Sequence, residues 1–361
     1  MLNYKKVKLI LLIGLLMSFL VVCVASAAPE YVIRMHHGLP VGHYLDKAHN
    51  LWADKVWDKS NGRVKIKIFP ASQLYNDKTV VQAVITGAIE CAWDYDHKMF
   101  TVCPAWGGLG LPGQGIAAAG AGLQKSVESM QSAFYEGRGP GELLSKKLEN
   151  IGLKLNHFIY WSMPVATASK GKPIIKPEDL KGRKIRVTTG SEAKKYRSVG
   201  AEPISLCGAE LYEGMSRGTI NTGPFPIVHL EERKLKEVVD YATIPTGSTA
   251  CIAAVVFNLD YWNSLPKDVQ QILMEAGCEA DLETRGILPA SNIENRKKIE
   301  EEGSVEFIDL TPEQQKPWID LNVKYDMKGV VSLGPDAVEM WNACQDFKKE
   351  IGVEPFPYIN K

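Results

Sequence analysis

The chain has 361 residues, with 42 Lys and Arg against 42 Asp and Glu, and 45% of its residues are hydrophobic. This length exceeds what a single hydrophobic core usually serves, so we expect two lobes. The balanced charge lacks the excess of basic residues by which proteins attract nucleic acid or anionic membranes, so neither is expected as a partner.

The N-terminus has the pattern of a secretory signal peptide. Three lysines precede an apolar run over residues 9–24, and an Ala-Ser-Ala tripeptide ends at Ala27. We predict cleavage after Ala27, which leaves a soluble, periplasmic chain with 39 basic and 42 acidic residues. A retained membrane anchor is the alternative, but the 16-residue run is shorter than the ~20 residues that span a bilayer. A lipoprotein signal at Cys23 is disfavoured by the bulky Val22 before it.

The segment from residue 31 to 95 predicts alternating strands and helices. A strand in YVIRMHHGLP leads to an amphipathic helix in HYLDKAHNLWADKVWDKSNG, where Asn61-Gly62 ends the helical pattern. RVKIKIFP alternates apolar and basic residues, as a half-exposed strand does. DKTVVQAVITGAIECAWDY then predicts a helix, a turn at Gly87 and a strand from Ile89.

The middle of the chain continues this alternation. Helices are predicted over 123–135 and 141–150, before a strand in LKLNHFIYW. KIRV, EAKKYRSVG and EPISL repeat the strand–helix–strand order, and GAELYEGMSRGTINTGPFP predicts a helix, a glycine turn, a strand and a loop. A further strand is predicted over 243–258.

The pattern from Lys267 to about Glu301 predicts an unusually long helix. Ser264-Leu265-Pro266 marks its start, because proline is favoured in the first helical turn. Gly286 and Pro289 predict a kink near Ile287. Such a helix can brace two lobes, and since no low-complexity linker is present, we expect β-strand hinges.

Six cysteines remain after the predicted cleavage, and an even number in an oxidising compartment permits 15 full disulfide pairings. These are Cys91, Cys103, Cys207, Cys251, Cys278 and Cys344. A chain of this size does not need disulfides to fold. A bridge between Cys91 and Cys103 is one possibility, and isolated buried thiols are the preferred interpretation.

Four phrases in chain order resemble one protein family. They are FPASQLYNDKTVVQAVITGAIECA, PEDLKGRKIRV, VGAEPISLCGAELYEGMSRGTIN and YWNSLPKDVQQIL. Together they resemble the periplasmic solute-binding subunit of TRAP transporters, the DctP family. The resemblance implies a two-lobed α/β clamshell of the periplasmic-binding-protein type, with strand hinges, a long kinked helix spanning both lobes, and an organic acid bound in the cleft.

We divide the chain on this basis into a signal peptide at 1–27 and two discontinuous lobes. Lobe I is expected to comprise 28–155 and 248–288, and lobe II 156–247 and 289–361. The partners implied are a small organic anion and membrane subunits of the DctQ and DctM type, with the receptor acting as a monomer. A receptor that feeds a sensor kinase is the alternative.

The resemblance implies that the arginine of KIRV, Arg186, clamps the carboxylate of the ligand. The physics of the segment agrees, because Ile185 and Val187 face one side of a strand and Arg186 faces the other. A guanidinium group offers a planar fork that matches a carboxylate. An arginine paired with a structural Asp or Glu is the alternative.

The sequence departs from the family pattern around the expected cleft. Phe225 stands where the family has the Asn of G-Q-E-N-P, and Asn221 replaces the preceding Asp. Met163 or Val165 lies near the position of a second arginine. Trp93, Asp94 and Tyr95 replace small hydroxyl residues.

These departures exchange polar partners for aromatic faces, so we predict a monocarboxylate with an apolar or aromatic body. The alternatives are a C4-dicarboxylate, a sugar acid or a sulfonate, with the aromatic residues belonging to the core. The predicted pocket walls are Trp161, Phe225, Trp93 and Tyr95. The predicted polar contacts are His37, Asp94 and Ser248, and Glu210 is expected near the cleft, where it caps or positions the following helix.

Three other patterns carry weaker signals. GLGLPG at 108–113 fits G-x-G-x-x-G, but Pro112 and the lack of a preceding strand disfavour dinucleotide binding, and we expect a loop on the cleft wall. His36, His37 and His43 with Asp46 lack metal-ligand spacing. Asp94, Asp96 and His97 lack a nucleophile motif. We therefore expect no metal, no other cofactor and no enzymatic activity.

Overall fold

The computed structural model describes residues 28–39, 41–76, 79–94, 96–110, 133–187, 190–206, 208–284 and 287–359. The predicted signal peptide, the cleavage site and most of the helix predicted over 123–135 lie outside these residues. Among the residues described, no helix is both long enough and apolar enough to cross a bilayer.

The described residues contain nine strands, two of which are much longer than the rest. They are β1 Tyr31–His36, β2 Val64–Phe69, β3 Cys91–Asp94, β4 Leu153–Ser169, β5 Lys184–Val187, β6 Glu202–Ser205, β7 Thr222–Pro226, β8 Tyr241–Asn258 and β9 Glu306–Asp309.

Helices occupy much of the remaining chain. The α-helices are α1 Tyr44–Lys59, α2 Val80–Ile85, α3 Asp96–Val102, α4 Pro104–Gly110, α5 Gly139–Glu149, α6 Gly190–Arg197, α7 Leu211–Ser216, α8 Ile227–Glu232, α9 Leu259–Ser264, α10 Lys267–Thr284, α11 Ile287–Glu302, α12 Pro312–Leu333 and α13 Pro335–Glu350. Short 3-10 helices occupy Pro177–Leu180, Gly208–Glu210 and Leu235–Glu237.

The two long strands, β4 and β8, hold the molecule together. The sheet order is β2-β1-β3-β8-β4-β7-β5-β6, with β9 also paired to β8. The C-terminal part of β8 pairs with β3, whereas its N-terminal part pairs with β9. β7 pairs with the C-terminal part of β4. Each end of the β4–β8 ribbon therefore carries its own sheet, and the fold is a two-lobed α/β clamshell.

Apolar clusters pack helices on both faces of each sheet, as α/β layers require. One cluster unites Trp52 of α1 with Phe257 of β8 and Val269 of α10. On the other face, Trp106 of α4 packs with Met340 of α13. The second sheet has separate clusters against α7, α8 and α11 on one side and α6 and α12 on the other.

The predicted long helix is present as α10 followed by α11. α10 packs on α1 and β4, and α11 packs on α8, where Asn292 Oδ1 accepts a hydrogen bond of 3.1 Å from the Val228 N–H. The pair therefore reaches both lobes, as predicted. The predicted kink falls at residues 285 and 286, outside the described residues.

One interpretation of the sequence needs correction, and one possibility that it left open is excluded. The GLGLPG segment is helical as far as Gly110 rather than a loop. A Cβ atom on Gly108 would lie 2.3 Å from the Ala337 carbonyl oxygen, so this glycine permits close packing of α4 against α13. Cys91 and Cys103 are both buried free thiols, which excludes the bridge between them.

Candidate functional site

The centre of the β4–β8 ribbon separates the two sheets. Residues 159–164 of β4 pair with residues 248–253 of β8. The pairings of the two strands with β3, β7 and β9 lie beyond these limits. Trp161 is paired with Cys251, and Ser248 with Pro164. Trp161 and Ser248, two predicted site residues, thus have their backbones in the hinge between the lobes. The structure does not describe their side chains.

Arg186 lies on β5 with the alternation that the sequence predicts. Ile185 and Val187 are buried, and Arg186 between them is half-buried. Its Nε donates a hydrogen bond of 3.3 Å to the carbonyl oxygen of Leu206. The guanidinium group is thereby held beside the segment that follows β6.

A second arginine, Arg233, reaches the same segment from another direction. It follows the last residue of α8 and is half-buried. Its Nη1 donates a hydrogen bond of 2.8 Å to the carbonyl oxygen of Gly208. Since Leu206 and Gly208 are two residues apart, the two guanidinium groups converge on one short stretch of backbone.

Two histidines lie within the field of these arginines. The pKa of His229 is lowered to about 3, first by burial and then by the charges of Arg233 and Arg186. The pKa of His43 is lowered to about 4 by burial and by Arg233. Both imidazole rings are therefore neutral at pH 7. His43 precedes α1 and Arg233 follows α8, so this electrostatic contact crosses between the first sheet and the second.

Both ring nitrogens of His37 bond to groups of the protein. This differs from the prediction that His37 contacts the ligand. It is fully buried, and its Nδ1 accepts a hydrogen bond of 3.2 Å from the Leu39 N–H. Its Nε2 therefore carries the proton and donates to Asp46 Oδ1 at 3.1 Å. Burial lowers the pKa of His37, and Asp46 opposes that effect in part. Neither ring nitrogen remains for a bound molecule.

The described aromatic candidates pack in the core. Phe225 is 0% exposed and folds over Gly223, where an added Cβ would lie 2.3 Å from the ring. Trp93 is 1% exposed and meets His49 edge to face, with 5.3 Å between ring centroids. Neither ring faces an open cavity in this structure, which is the core alternative considered for them.

Glu210 occupies the position before α7 and is exposed, but its side chain makes no capping hydrogen bond. The predicted capping role is therefore not observed. Of Asp94, Asp96 and His97 the side chains lie outside the description, as does Tyr95. Among the residues described, no group of three or more His, Cys, Asp or Glu is arranged to hold a metal ion. Asp46 instead binds His37.

The sequence analysis missed Arg233, His43 and His229. Arg233 lies in the run EERKLK, which is typical of a solvated helix end. His43 was considered only as a metal ligand, although it also starts α1, where its Nδ1 accepts a hydrogen bond of 3.2 Å from the Leu45 N–H. The sequence did contain one signal for Arg233. It is a basic residue just after α8, and it follows closely on Phe225, where the sequence departs from the family pattern.

Two lobes joined by long strands, with helices that reach both lobes, form the clamshell of a solute-binding receptor. The chain belongs to the DctP family, described as bacterial extracellular solute-binding protein, family 7, whose model matches residues 35–326. It is a TRAP-type solute-binding protein. The family is periplasmic, binds small organic anions and works with membrane subunits.

Individual relatives and structures agree with this assignment. The C4-dicarboxylate-binding periplasmic protein DctP of Rhodobacter capsulatus is 24% identical over 85% of this chain and 89% of the relative. A TRAP periplasmic solute-binding protein from Ochrobactrum anthropi has a TM-score of 0.77 at 20% identity, over 89% of this chain and 97% of that one. One from Sulfurospirillum deleyianum, with bound succinate, has a TM-score of 0.69 at 23% identity, over 88% and 99%.

Proposed function

We propose that this receptor captures one organic acid in the cleft between its lobes and delivers it to the membrane subunits of a TRAP importer. Arg186 binds the carboxylate of that acid. The proposed lobes are 28–155 with 248–288, and 156–247 with 289–361. The packing of α13 on α4 and α5 favours moving residues 335–350 to the first lobe.

The observation that carries this proposal is the half-buried guanidinium of Arg186 on β5, next to the hinge-linked cleft. A carboxylate bound there accepts two parallel hydrogen bonds from the planar fork. Because water is partly excluded, the charge attraction is stronger than at an open surface. The relative from R. capsulatus is named for C4-dicarboxylates, and the S. deleyianum protein holds succinate, which supports an acid ligand.

The narrower hypothesis of a monocarboxylate with an aromatic body has lost part of its basis. It depended on aromatic faces in the pocket, and Phe225 and Trp93 are both buried in the core. We therefore propose an organic acid without limiting it to one acid group. Closure over the acid would shift the receptor from an open to a closed population, driven by the higher affinity of the closed form.

The test is titration calorimetry with a panel of acids that contains succinate, malate, an indolic acid and a branched 2-oxo acid. Wild-type protein should bind at least one acid with one-to-one stoichiometry and return it unchanged. Arg186→Gln should weaken that binding by about 30-fold or more, because removing one member of a desolvated charge pair costs at least ~2 kcal/mol.

Lys184→Gln is the matched control, since Lys184 lies on the same face of β5, carries the same charge and is exposed. It should bind the acid as the wild type does. Equal affinity of Arg186→Gln and wild-type protein would refute the carboxylate clamp.

A further inference from the structure

We infer that one face of α13 is a binding site for an extended, proline-containing peptide, and that the chain's own C-terminal segment is the ligand that occupies it reversibly. This segment, residues 353–359, contains two prolines, each followed by an aromatic residue, and then an isoleucine. The site belongs to α13, which packs on α4 and α5, and not to the strand that carries Arg186. The inference therefore does not rest on the proposed acid site.

The first support is the way in which α13 holds the main chain of the C-terminal segment. Trp341 Nε1 donates a hydrogen bond of 2.9 Å to the carbonyl oxygen of Pro357. Gln345 lies one turn further along the same face of α13, and its Oε1 accepts a hydrogen bond of 2.9 Å from the Phe356 N–H. A proline offers an acceptor but no donor, so an indole N–H suits it. Aromatic-lined grooves hold proline-containing peptides in this manner.

The second support is the recognition of Ile359 by a single side chain. Asn342 Nδ2 donates a hydrogen bond of 2.8 Å to the Ile359 carbonyl oxygen, and Asn342 Oδ1 accepts one of 2.9 Å from the Ile359 N–H. Ile359 is 5% exposed and packs in an apolar cluster built from α3, α12 and α13, which includes Phe100, Val330, Ala337 and Trp341. The docked segment therefore holds the end of α12 against α13.

The third support is the ring of Phe356, which covers a buried cation of α13. The ring lies close to parallel with that of Trp341, with 6.3 Å between centroids and 27° between planes. Lys348 Nζ lies 3.8 Å from the centroid of the Phe356 ring, and Lys348 is 2% exposed. A desolvated ammonium group is attracted to the face of an aromatic ring. The groove therefore offers a specific place to an aromatic residue that precedes a proline.

The segment is attached lightly enough to leave the groove while the rest of the protein stays folded. It has no helix or strand, and Glu354 and Pro357 are exposed. From Phe356 to Ile359, the main-chain hydrogen bonds that the structure describes are those with the three α13 side chains. Segments held by so few bonds open at a free energy well below that of global unfolding. The two prolines limit the freedom of the released chain, which favours its return.

Hydrogen–deuterium exchange of the full-length protein, read by mass spectrometry, tests whether the segment leaves the groove on its own. The fragment that contains residues 353–359 should exchange about 10- to 1,000-fold more slowly than the same free peptide, and at least about 100-fold faster than fragments of β8. Asn342→Ala should raise its exchange by about tenfold, because both hydrogen bonds to Ile359 are lost, and should leave β8 unchanged. Asn263→Ala, the same substitution at an exposed position of α9, is the matched control and should change neither.

A chain that ends at Gly352 tests whether the groove binds the segment as a separate peptide. This chain, with its fold checked by circular dichroism, should bind the labelled peptide VEPFPYINK, residues 353–361, with a Kd of about 1 mM or tighter in fluorescence anisotropy. The same peptide in scrambled order should not bind. Full-length protein should bind the peptide at least about tenfold more weakly, because its own segment competes at a high effective concentration.

The inference is overturned if the segment of wild-type protein exchanges like the free peptide, which would mean that it is not bound. It is also overturned if the segment exchanges only together with β8, which would make it an integral part of the fold. A truncated chain that does not fold has the same meaning as this second result. A truncated chain that folds but does not bind the peptide would show that α13 has no binding site for it.

Discussion

Polar groups of the two lobes differ in how many of their hydrogen bonds are made within the protein. Before and within α1, Asp46 is 5% exposed and accepts hydrogen bonds from His37 Nε2 at 3.1 Å, the Gly42 N–H at 2.7 Å and Asn50 Nδ2 at 3.3 Å. Across the cleft, Arg233 has five potential donors, a bond to one carbonyl group and a buried Nε with no partner among the described residues.

This difference separates a network of satisfied polar groups from a half-buried guanidinium group that has spare donors among the described residues. Satisfied buried groups gain stability from each other, and removing one leaves the rest uncompensated. An underused buried cation costs stability in the unbound protein, and its hydrogen bonds become available when an anion arrives. Each side of the cleft should therefore respond differently to perturbation.

The largest effect is expected from pH, because five buried or half-buried histidines have lowered pKa values. They are His37, His43, His49, His157 and His229. Burial is the first cause in each. The unfolded chain binds protons near pH 6.5 while the folded chain does not, so stability is complete above that pH and is lost as the pH falls below it.

Each histidine whose folded-state pKa lies well below 6.5 should reduce the free energy of unfolding by up to about 1.4 kcal/mol per pH unit below that pH. Urea denaturation at pH 7.5, 6.5 and 5.5 measures the sum, which should reach several kcal/mol at pH 5.5. Carboxyl groups with lowered pKa values titrate at lower pH. Burial raises the pKa of Asp326 and of Glu232, and protonation of these two groups as the pH falls offsets part of the loss. Equal stability at pH 7.5 and 5.5 would contradict the assignment of neutral, buried rings.

The next effect is expected from Asp46→Ala, which removes the acceptor shared by His37, Gly42 and Asn50. His37 is buried and loses its partner at a cost of ~1–3 kcal/mol, whereas Gly42 and Asn50 are exposed and can bond to water. The free energy of unfolding should therefore fall by about 2 kcal/mol. Asp54→Ala, at an exposed position of the same helix, is the control and should change it by less than about 0.5 kcal/mol. A similar loss in both variants would mean that the Asp46 network contributes little.

Local patterns predicted most of the secondary structure before residue 301. The helix at Tyr44–Lys59, the turn at Gly87 with a φ of +74°, and β5 agree with the sequence. β4 extends eight residues beyond the predicted LKLNHFIYW, to Ser169, because the partner strand β8 supports it across Pro164. The pairing of distant strands overrode a local break.

The C-terminal elements were not predicted, although the sequence contains their signals. Thr311 and Gln314 form a capping box at the start of α12, a known helix-start pattern. Pro335 opens α13 directly after Gly334. The sequence predicted α10 and α11 as the helix that links the two lobes, but α12 also contacts both. Near its start Trp318 donates a hydrogen bond of 2.9 Å to Ile175 O. At its end Leu333 lies against Gly107.

The site was less predictable than the fold, for a physical reason. Arg186 was identified through a motif, whereas Arg233 becomes significant only when α8 is placed beside the end of β6. Phe225 was assigned to the pocket from its position in a family pattern. In the structure it lies on β7, and its side chain points to the core side of that strand. Sequence neighbours do not reveal which charges lack partners, since partners come from tertiary structure.

The smallest effect, and the sharpest comparison, concerns two half-buried arginines in the unbound protein. Arg183 donates to Thr222 Oγ1 at 2.8 Å, Lys170 O at 2.7 Å and Asn221 O at 3.1 Å. Arg183→Gln should therefore lower the free energy of unfolding by about 1–2 kcal/mol, measured by urea denaturation. Arg233→Gln loses one hydrogen bond, to the Gly208 carbonyl group, but also removes a buried Nε that has no partner among the described residues. Its stability should equal or exceed that of wild-type protein by up to about 1 kcal/mol, because binding residues are often held at a cost in stability. If Arg233→Gln is destabilised as much as Arg183→Gln, then Arg233 is a structural residue, and its position beside Arg186 serves the fold rather than the ligand.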